Sequence, residues 1–129
     1  MSEENKNCGE RLLHLSHRCA RPDLLVIEVR GDIDTYTTEK EFFPYVSPLV
    51  TNEVFYVVLD FSQARYIDSV GMASLITLYK QLSKRRGKMV IVTQVPLILR
   101  LFSLTAIDRL VPIFPSLAEA LEHCPANPA

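Results

Sequence analysis

The segment 54–61, with the sequence VFYVVLDF, constrains the fold of this chain most strongly. Its apolar residues are almost continuous, whereas a strand with one exposed face would alternate apolar and polar residues. The segment therefore predicts a central β-strand that is covered on both faces. Such a strand requires helices packed on its sheet, so we expect an α/β fold in which helical crossovers join parallel strands.

The remaining strands form a hairpin followed by alternating helices and strands. Arg21-Pro22-Asp23 has turn chemistry, and Leu25, Ile27 and Val29 alternate with polar residues after it. Residues 31–34 and 62–67 are expected to be breaks or loops. Five segments predict strands, and together they give a small mixed sheet: residues 11–15, 24–30, 54–61, 89–93 and 111–114.

About four helices are expected, packed mainly on one face of this sheet. The first begins near Thr35 and becomes irregular because of Pro44 and Pro48. The second spans residues 69–86, and Gly87 after it is a stop signal. In the third, residues 96–105, the leucines 97, 101 and 104 form the predicted core stripe, with Ile98 and Phe102 alongside. Ser116, with Glu119 three residues later, caps the last helix.

Length and composition indicate one compact domain without an obvious membrane or nucleic-acid function. The chain has 129 residues, a formal net charge of −1 and no apolar run long enough to cross a bilayer. The first ten residues are polar, which argues against a secretory signal. We therefore expect a flexible N-terminal tail (1–10), a domain (11–123) and a C-terminal tail (124–129), located in the cytoplasm as a monomer or weak dimer.

Three kinds of chemistry find little support in the residue pattern. His14 and His17 would point to opposite faces of a strand, and three scattered cysteines form no metal or disulfide framework, so no metal site or cofactor is expected. The four glycines are too dispersed for a phosphate-binding loop. A serine hydrolase would need the G-x-S-x-G pattern, which is absent around Ser69, and the only later histidine is His123.

The segment Asp68-Ser69-Val70-Gly71 lies where a strand and loop lead into the second helix. Residue types alone favour Asp68 as the helix cap and Ser69 as an ordinary first-turn residue. The same position also suits a phosphorylation switch. A phosphate adds about 1.5 to 2 negative charges, and a helix N-terminus tolerates an anion.

Several segments in order resemble the STAS domains of bacterial anti-sigma factor antagonists. They are Arg30-Gly31-Asp32-Ile33-Asp34, Leu59-Asp60, the segment from Tyr66 to Met72, and Arg100-Leu101-Phe102 before Ile107. The Ile-Asp-Ser-x-Gly segment is the most specific part. Val70 and Met72 depart from the usual residues, and Pro44 and Pro48 are unusual for the first helix.

This resemblance implies a STAS-like fold and a regulatory protein with no catalytic residues. In the family, an anti-sigma factor that is itself a serine kinase phosphorylates the serine, which is Ser69 here. The unphosphorylated antagonist binds that kinase and frees a sigma factor, and a PP2C-type phosphatase restores this form. The implied partner-binding residues are Asp32, Ile33, Asp34, Thr35, Asp68, Ser69, Val70, Gly71 and Met72.

Two alternatives follow from the same residues. One is a STAS scaffold or regulatory subunit of a stress-sensing, secretion, biofilm or transport pathway without direct sigma control. The other is a small hydrolase that uses Ser69 as its nucleophile.

Overall fold

The computed structural model describes residues 11–125, so the predicted N-terminal tail, Cys8 and residues 126–129 lie outside the described residues. A five-stranded mixed sheet has the order β1-β2-β3-β4-β5. β1 pairs antiparallel with β2 as a hairpin, and every later pairing is parallel. The strands are β1 (His14–Arg21), β2 (Leu24–Ile33), β3 (Tyr56–Ile67), β4 (Lys88–Val92) and β5 (Ile113–Phe114).

The helices follow the predicted order. After β2 the chain forms α1 (Thr35–Thr37), a π-helical turn (Thr38–Phe42), α2 (Phe43–Val46) and a 3₁₀ turn (Ser47–Leu49). The expected irregularity is confirmed, and Pro44 and Pro48 each lie in the first turn of a new segment, where a missing N–H costs little. The other helices are α3 (Ser69–Ser83), α4 (Pro96–Leu104) and α5 (Leu117–Glu122), with a 3₁₀ turn at Ile107–Arg109.

Two apolar clusters cover the two faces of the sheet. Alternate residues of β2, β3 and β4 pack with α2, α3 and α4 in the larger cluster, which includes Phe42, Leu75 and Phe102. The other residues of these strands pack against α5 in the smaller cluster, together with the buried Cys124. The central segment is thus covered on both faces as predicted, and α5 is the helix on the second face.

The prediction that residues 31–34 and 62–67 leave the sheet was wrong for all of them except Asp34, which caps α1. β2 continues to Ile33 and β3 to Ile67, and these two residues are partners in the parallel ladder. The second half of β3 contains polar residues, which predicted a loop. They are compatible with a strand because β4 pairs with β3 only as far as Asp60. Beyond Asp60, Ser62 and Gln63 are exposed strand residues. The first strand was also misplaced, since β1 begins at His14 and uses mainly exposed residues that carry no apolar pattern.

The predicted apolar face of α4 was wrong for Leu97 and Leu104, whereas Leu101 packs against the core and Ile98 and Phe102, which were expected alongside the stripe, lie within the core. Ile98 and Phe102 are fully buried, whereas Leu97 and Leu104 are 45% and 73% exposed. Because most residues of this helix are apolar, two adjacent stripes are compatible with its sequence, and periodicity cannot choose between them.

The chain leaves α3 in a different way from the predicted glycine stop, since the helix ends at Ser83. Arg86, with φ of 65°, adopts the left-handed conformation. Gly87 serves close packing instead, because a Cβ there would lie 2.9 Å from Leu82 Cδ2 and 3.0 Å from the Phe55 carbonyl oxygen.

Candidate functional site

Two equivalent turns lie side by side where β2 and β3 end. Ile33 and Ile67 are in register, and each is followed by an aspartate that caps a helix. Asp34 and Asp68 have nearly the same backbone conformation, with φ/ψ of −103°/−172° and −101°/−174°. Parallel pairing therefore brings the starts of α1 and α3 together at one edge of the sheet.

Asp68 links these two turns through both carboxylate oxygens. Oδ1 accepts a hydrogen bond from the Gly71 backbone N–H at 3.0 Å, which caps α3. Oδ2 accepts a hydrogen bond from the Thr35 hydroxyl at 2.9 Å. Partial burial alone would raise the pKa of Asp68, but the hydrogen bonds from Gly71 and Thr35 outweigh burial and hold this pKa below its ordinary value. The carboxylate is therefore fixed in place and ionised at neutral pH.

Asp34 and Thr37 form a reciprocal capping box at the start of α1. The Asp34 carboxylate accepts from the Thr37 N–H at 2.9 Å, while the Thr37 hydroxyl oxygen accepts from the Asp34 N–H at 2.8 Å. Thr37 is buried, so this box fixes the helix start and leaves the exposed Thr35 in contact with Asp68.

Ser69 is the first residue of α3, and its side chain is exposed. Asp68 supplies the cap, so the Ser69 hydroxyl is not needed for that role. No hydrogen bond engages the hydroxyl within residues 11–125. The hydroxyl projects from a helix N-terminus, where the dipole favours negative charge.

Gly71 is required by the distance between α3 and the sheet. A Cβ at this position would lie 2.7 Å from Ile67 Cγ1 and 2.9 Å from the Ile33 carbonyl oxygen. The glycine of the segment thus has a packing role that does not depend on any partner.

The structure brings all the predicted partner-binding residues together at this edge but exposes only some of them. Thr35 and Ser69 are exposed, and Asp32, Asp34, Asp68 and Val70 are partly exposed. Ile33, Gly71 and Met72 are buried and shape the surface from beneath.

Two tyrosines at the same edge were missed by the sequence reasoning. Tyr36 in α1 is 57% exposed, and Tyr66 near the end of β3 is 41% exposed. Tyr66 is the ladder partner of Asp32, whose carboxylate lies 3.4 Å from the Arg65 guanidinium. Exposed tyrosines are enriched at protein interfaces, so their position next to both Ile-Asp segments was the available signal.

Among residues 11–125 no group of three histidine, cysteine or acidic side chains is placed to hold a metal ion. His123 packs against Phe114, with ring centroids 4.9 Å apart, on the side of the sheet that α5 covers. No helix within the described part of the chain is long and apolar enough to cross a membrane.

A family model and a curated relative both match this chain and agree with each other. The STAS domain family model matches residues 19–120. An anti-sigma F factor antagonist of Paenibacillus polymyxa is 20% identical over 98 residues, which cover 76% of this chain and 84% of that protein.

Solved structures confirm the predicted STAS-like fold. An anti-sigma factor antagonist from Mycobacterium paratuberculosis superposes with a TM-score of 0.77 at 26% identity, over 86% of this chain and 92% of that one. The phosphorylated form of the Bacillus cell fate determinant SpoIIAA superposes with a TM-score of 0.66 at 14% identity, over 87% of this chain and 100% of that one.

Proposed function

This chain belongs to the STAS domain family, and from that premise we propose that it is an anti-sigma factor antagonist controlled by phosphorylation of Ser69. Its unphosphorylated form binds a cognate anti-sigma factor with serine kinase activity and releases a sigma factor. Phosphorylation ends this binding, and a PP2C-type phosphatase restores it. The chain is a binding protein without catalytic activity and acts in the cytoplasm.

The exposed Ser69 hydroxyl beside an aspartate that already caps the helix is the observation that carries this proposal. A serine that capped α3 would lose a structural hydrogen bond when modified. Here Asp68 keeps that bond, so phosphorylation leaves the fold intact and changes only the surface. SpoIIAA, which has a similar fold, has been solved in phosphorylated and unphosphorylated forms.

The local charge explains why a phosphate would act as a strong switch. Asp68 is already ionised, and a phosphate on Ser69 adds about 1.5 to 2 further negative charges next to it. A partner that places an acidic group over the start of α3 is then repelled. Like charges brought together at an interface cost several kcal/mol, and about 3 kcal/mol corresponds to roughly a hundredfold loss of affinity.

The docking surface would consist of the accessible side chains around this charge. The two exposed tyrosines flank it and provide aromatic area that can be buried at low entropic cost. The docking surface comprises Asp32, Asp34, Thr35, Tyr36, Tyr66, Asp68, Ser69 and Val70.

Phosphopeptide mapping after incubation with the cognate anti-sigma factor and ATP tests the acceptor. Wild type should be labelled and Ser69→Ala should not. The matched control is Ser83→Ala, which removes an exposed serine at the other end of the same helix and should be labelled as wild type is. Full labelling of Ser69→Ala would show that another residue is the acceptor.

Binding measurements with the same anti-sigma factor test the switch separately. Ser69→Asp should weaken the complex, while the neutral Ser69→Asn should bind nearly as wild type does. Both variants should have wild-type unfolding free energies, since the cap at Asp68 is unchanged. Equal affinity of Ser69→Asp and Ser69→Asn would remove the electrostatic explanation.

A further inference from the structure

The outer edge of β1 is a second surface with a defined chemistry, and it lies on the far side of β2 from β3 and Ser69. Within residues 11–125, β1 pairs only with β2, so the other side of β1 is one of the two edges of the sheet. The second edge belongs to β5, which has only two residues. Leu15 and Arg21 are partly buried, and the other residues of this strand are exposed. A long, exposed edge strand presents unpaired N–H and C=O groups that can hydrogen-bond an added strand.

The side chains of β1 itself include basic groups and no acidic group, and the nearest acidic residue across the ladder is Glu28 of β2, which accepts a hydrogen bond from Ser16. β1 has the sequence HLSHRCAR, which includes two arginines and two histidines and no acidic residue. Arg21 is neutralised by Asp23 at 2.8 Å, whereas Arg18 has no ion pair among the described residues. The nearby Glu41 carboxylate is occupied by the backbone N–H groups of Leu12 and Leu13, at 2.9 and 2.7 Å.

The two faces of β1 differ. Ser16 donates to Glu28 on the outer face of the sheet, next to a polar groove of about 1060 Å³ that His14 and Arg30 help to line. Since side chains alternate along a strand, Arg18 shares this outer face. On the inner face, His17 lies 2.7 Å from the Tyr45 hydroxyl and packs edge-on against its ring.

We propose that the free edge of β1 binds an extended segment of a partner protein in which acidic and apolar residues alternate, as an additional strand of the sheet. Acidic side chains on the outer face would lie beside Arg18 and His14. Apolar side chains on the inner face would contact the rings of His17 and Tyr45. A second copy of this chain is disfavoured as the occupant, because its β1 has no acidic side chain to lie opposite Arg18.

Titration of the full chain with the capped peptide acetyl-GEVEFEVEG-amide, followed by amide NMR, tests this proposal. The largest shift changes should fall on residues 14–21, and the lysine-for-glutamate peptide should not bind. Arg18→Glu should weaken binding about fivefold, as expected for an exposed ion pair. Arg109→Glu, which removes an exposed arginine elsewhere, should leave binding unchanged. Two further peptides carry methyl groups on alternate backbone nitrogens, one on the odd-numbered and one on the even-numbered residues. Only one of them should lose binding, because only one edge of an added strand pairs with β1.

Four results would overturn the proposal. Equal binding of both methylated peptides would show that no ladder forms. Shift changes centred on α3, or no binding at all, would exclude the edge as an acceptor for such a segment. Sedimentation of the free chain as a dimer that resists dilution and has its β1 amides protected from exchange would assign the edge to a second copy.

Discussion

Replacing Gly71 by alanine tests why the Asp-Ser-x-Gly segment ends in glycine. The added Cβ would lie 2.7 Å from Ile67 Cγ1, 2.9 Å from the Ile33 carbonyl oxygen and 3.0 Å from Ile33 Cγ2. Both isoleucines are fully buried, and they are ladder partners in the sheet. Neither can withdraw without disturbing the core, so α3 itself would have to move outward.

The magnitude results from two opposing effects. Alanine is favoured over glycine within a helix by about 1 kcal/mol. Overpacking of a filled core costs about 1–3 kcal/mol, and contact with a fixed carbonyl group puts this site at the upper end. We therefore expect a net loss of about 2 kcal/mol in the free energy of unfolding. For a chain of this length, that lowers the melting temperature by roughly 8 °C.

Urea unfolding followed by circular dichroism measures this loss. The matched control is Ala73→Gly, an exposed site two residues further along α3, which should lose about 1 kcal/mol through helix propensity alone. If Gly71→Ala is as stable as wild type or more stable, the close approach of α3 to the sheet is not what requires glycine.

Three further predictions concern other parts of the fold. Arg86→Gly should raise the unfolding free energy by about 1 kcal/mol in thermal denaturation, because it relieves the left-handed conformation of a non-glycine residue. Ile98→Ala should cost about 2–5 kcal/mol in urea unfolding, whereas Leu104→Ser should cost under about 1 kcal/mol because Leu104 is largely exposed. Asp68→Asn should lose the bond from Thr35 and with it a pH-dependent part of the stability. Folding lowers the pKa of Asp68, so the ionised carboxylate stabilises the folded state. Wild type should therefore have the higher free energy of unfolding at pH values above the unfolded-state pKa of about 3.9. Unfolding measured as a function of pH should show this difference vanish as pH falls through the folded-state pKa.

Features that depend on neighbouring residues along the chain were predictable from the sequence. The continuous run before Asp60 identified the buried strand, and the aspartate before Ser69 identified the cap of α3. Ser116 as the cap of α5 is confirmed too, since its hydroxyl accepts from the Glu119 N–H at 3.2 Å. Each of these signals acts within a few residues, so no knowledge of the tertiary structure is needed to interpret it.

Features that depend on which elements meet in space could not be predicted in the same way. The polar second half of β3 is a strand only because β2 pairs with it as far as Ile67. The exposed face of α4 depends on how the helix is rotated on the sheet, and its apolar sequence leaves that rotation open. The bond between Thr35 and Asp68 joins residues that the in-register strand ends bring together, and neither segment alone predicts it.

The contacts within this chain account for the segment Asp68-Ser69-Val70-Gly71 only in part. The Asp68 carboxylate accepts hydrogen bonds from the Gly71 N–H and the Thr35 hydroxyl. Position 71 has no room for a Cβ, because it lies too close to Ile33 and Ile67. Stability therefore explains why the first and last residues are aspartate and glycine. Ser69 is exposed and makes no contact within residues 11–125 that requires a hydroxyl, so a change to alanine there should leave the unfolding free energy nearly unchanged. The proposed phosphorylation of Ser69 would require a hydroxyl at this position, which the contacts within the described residues do not.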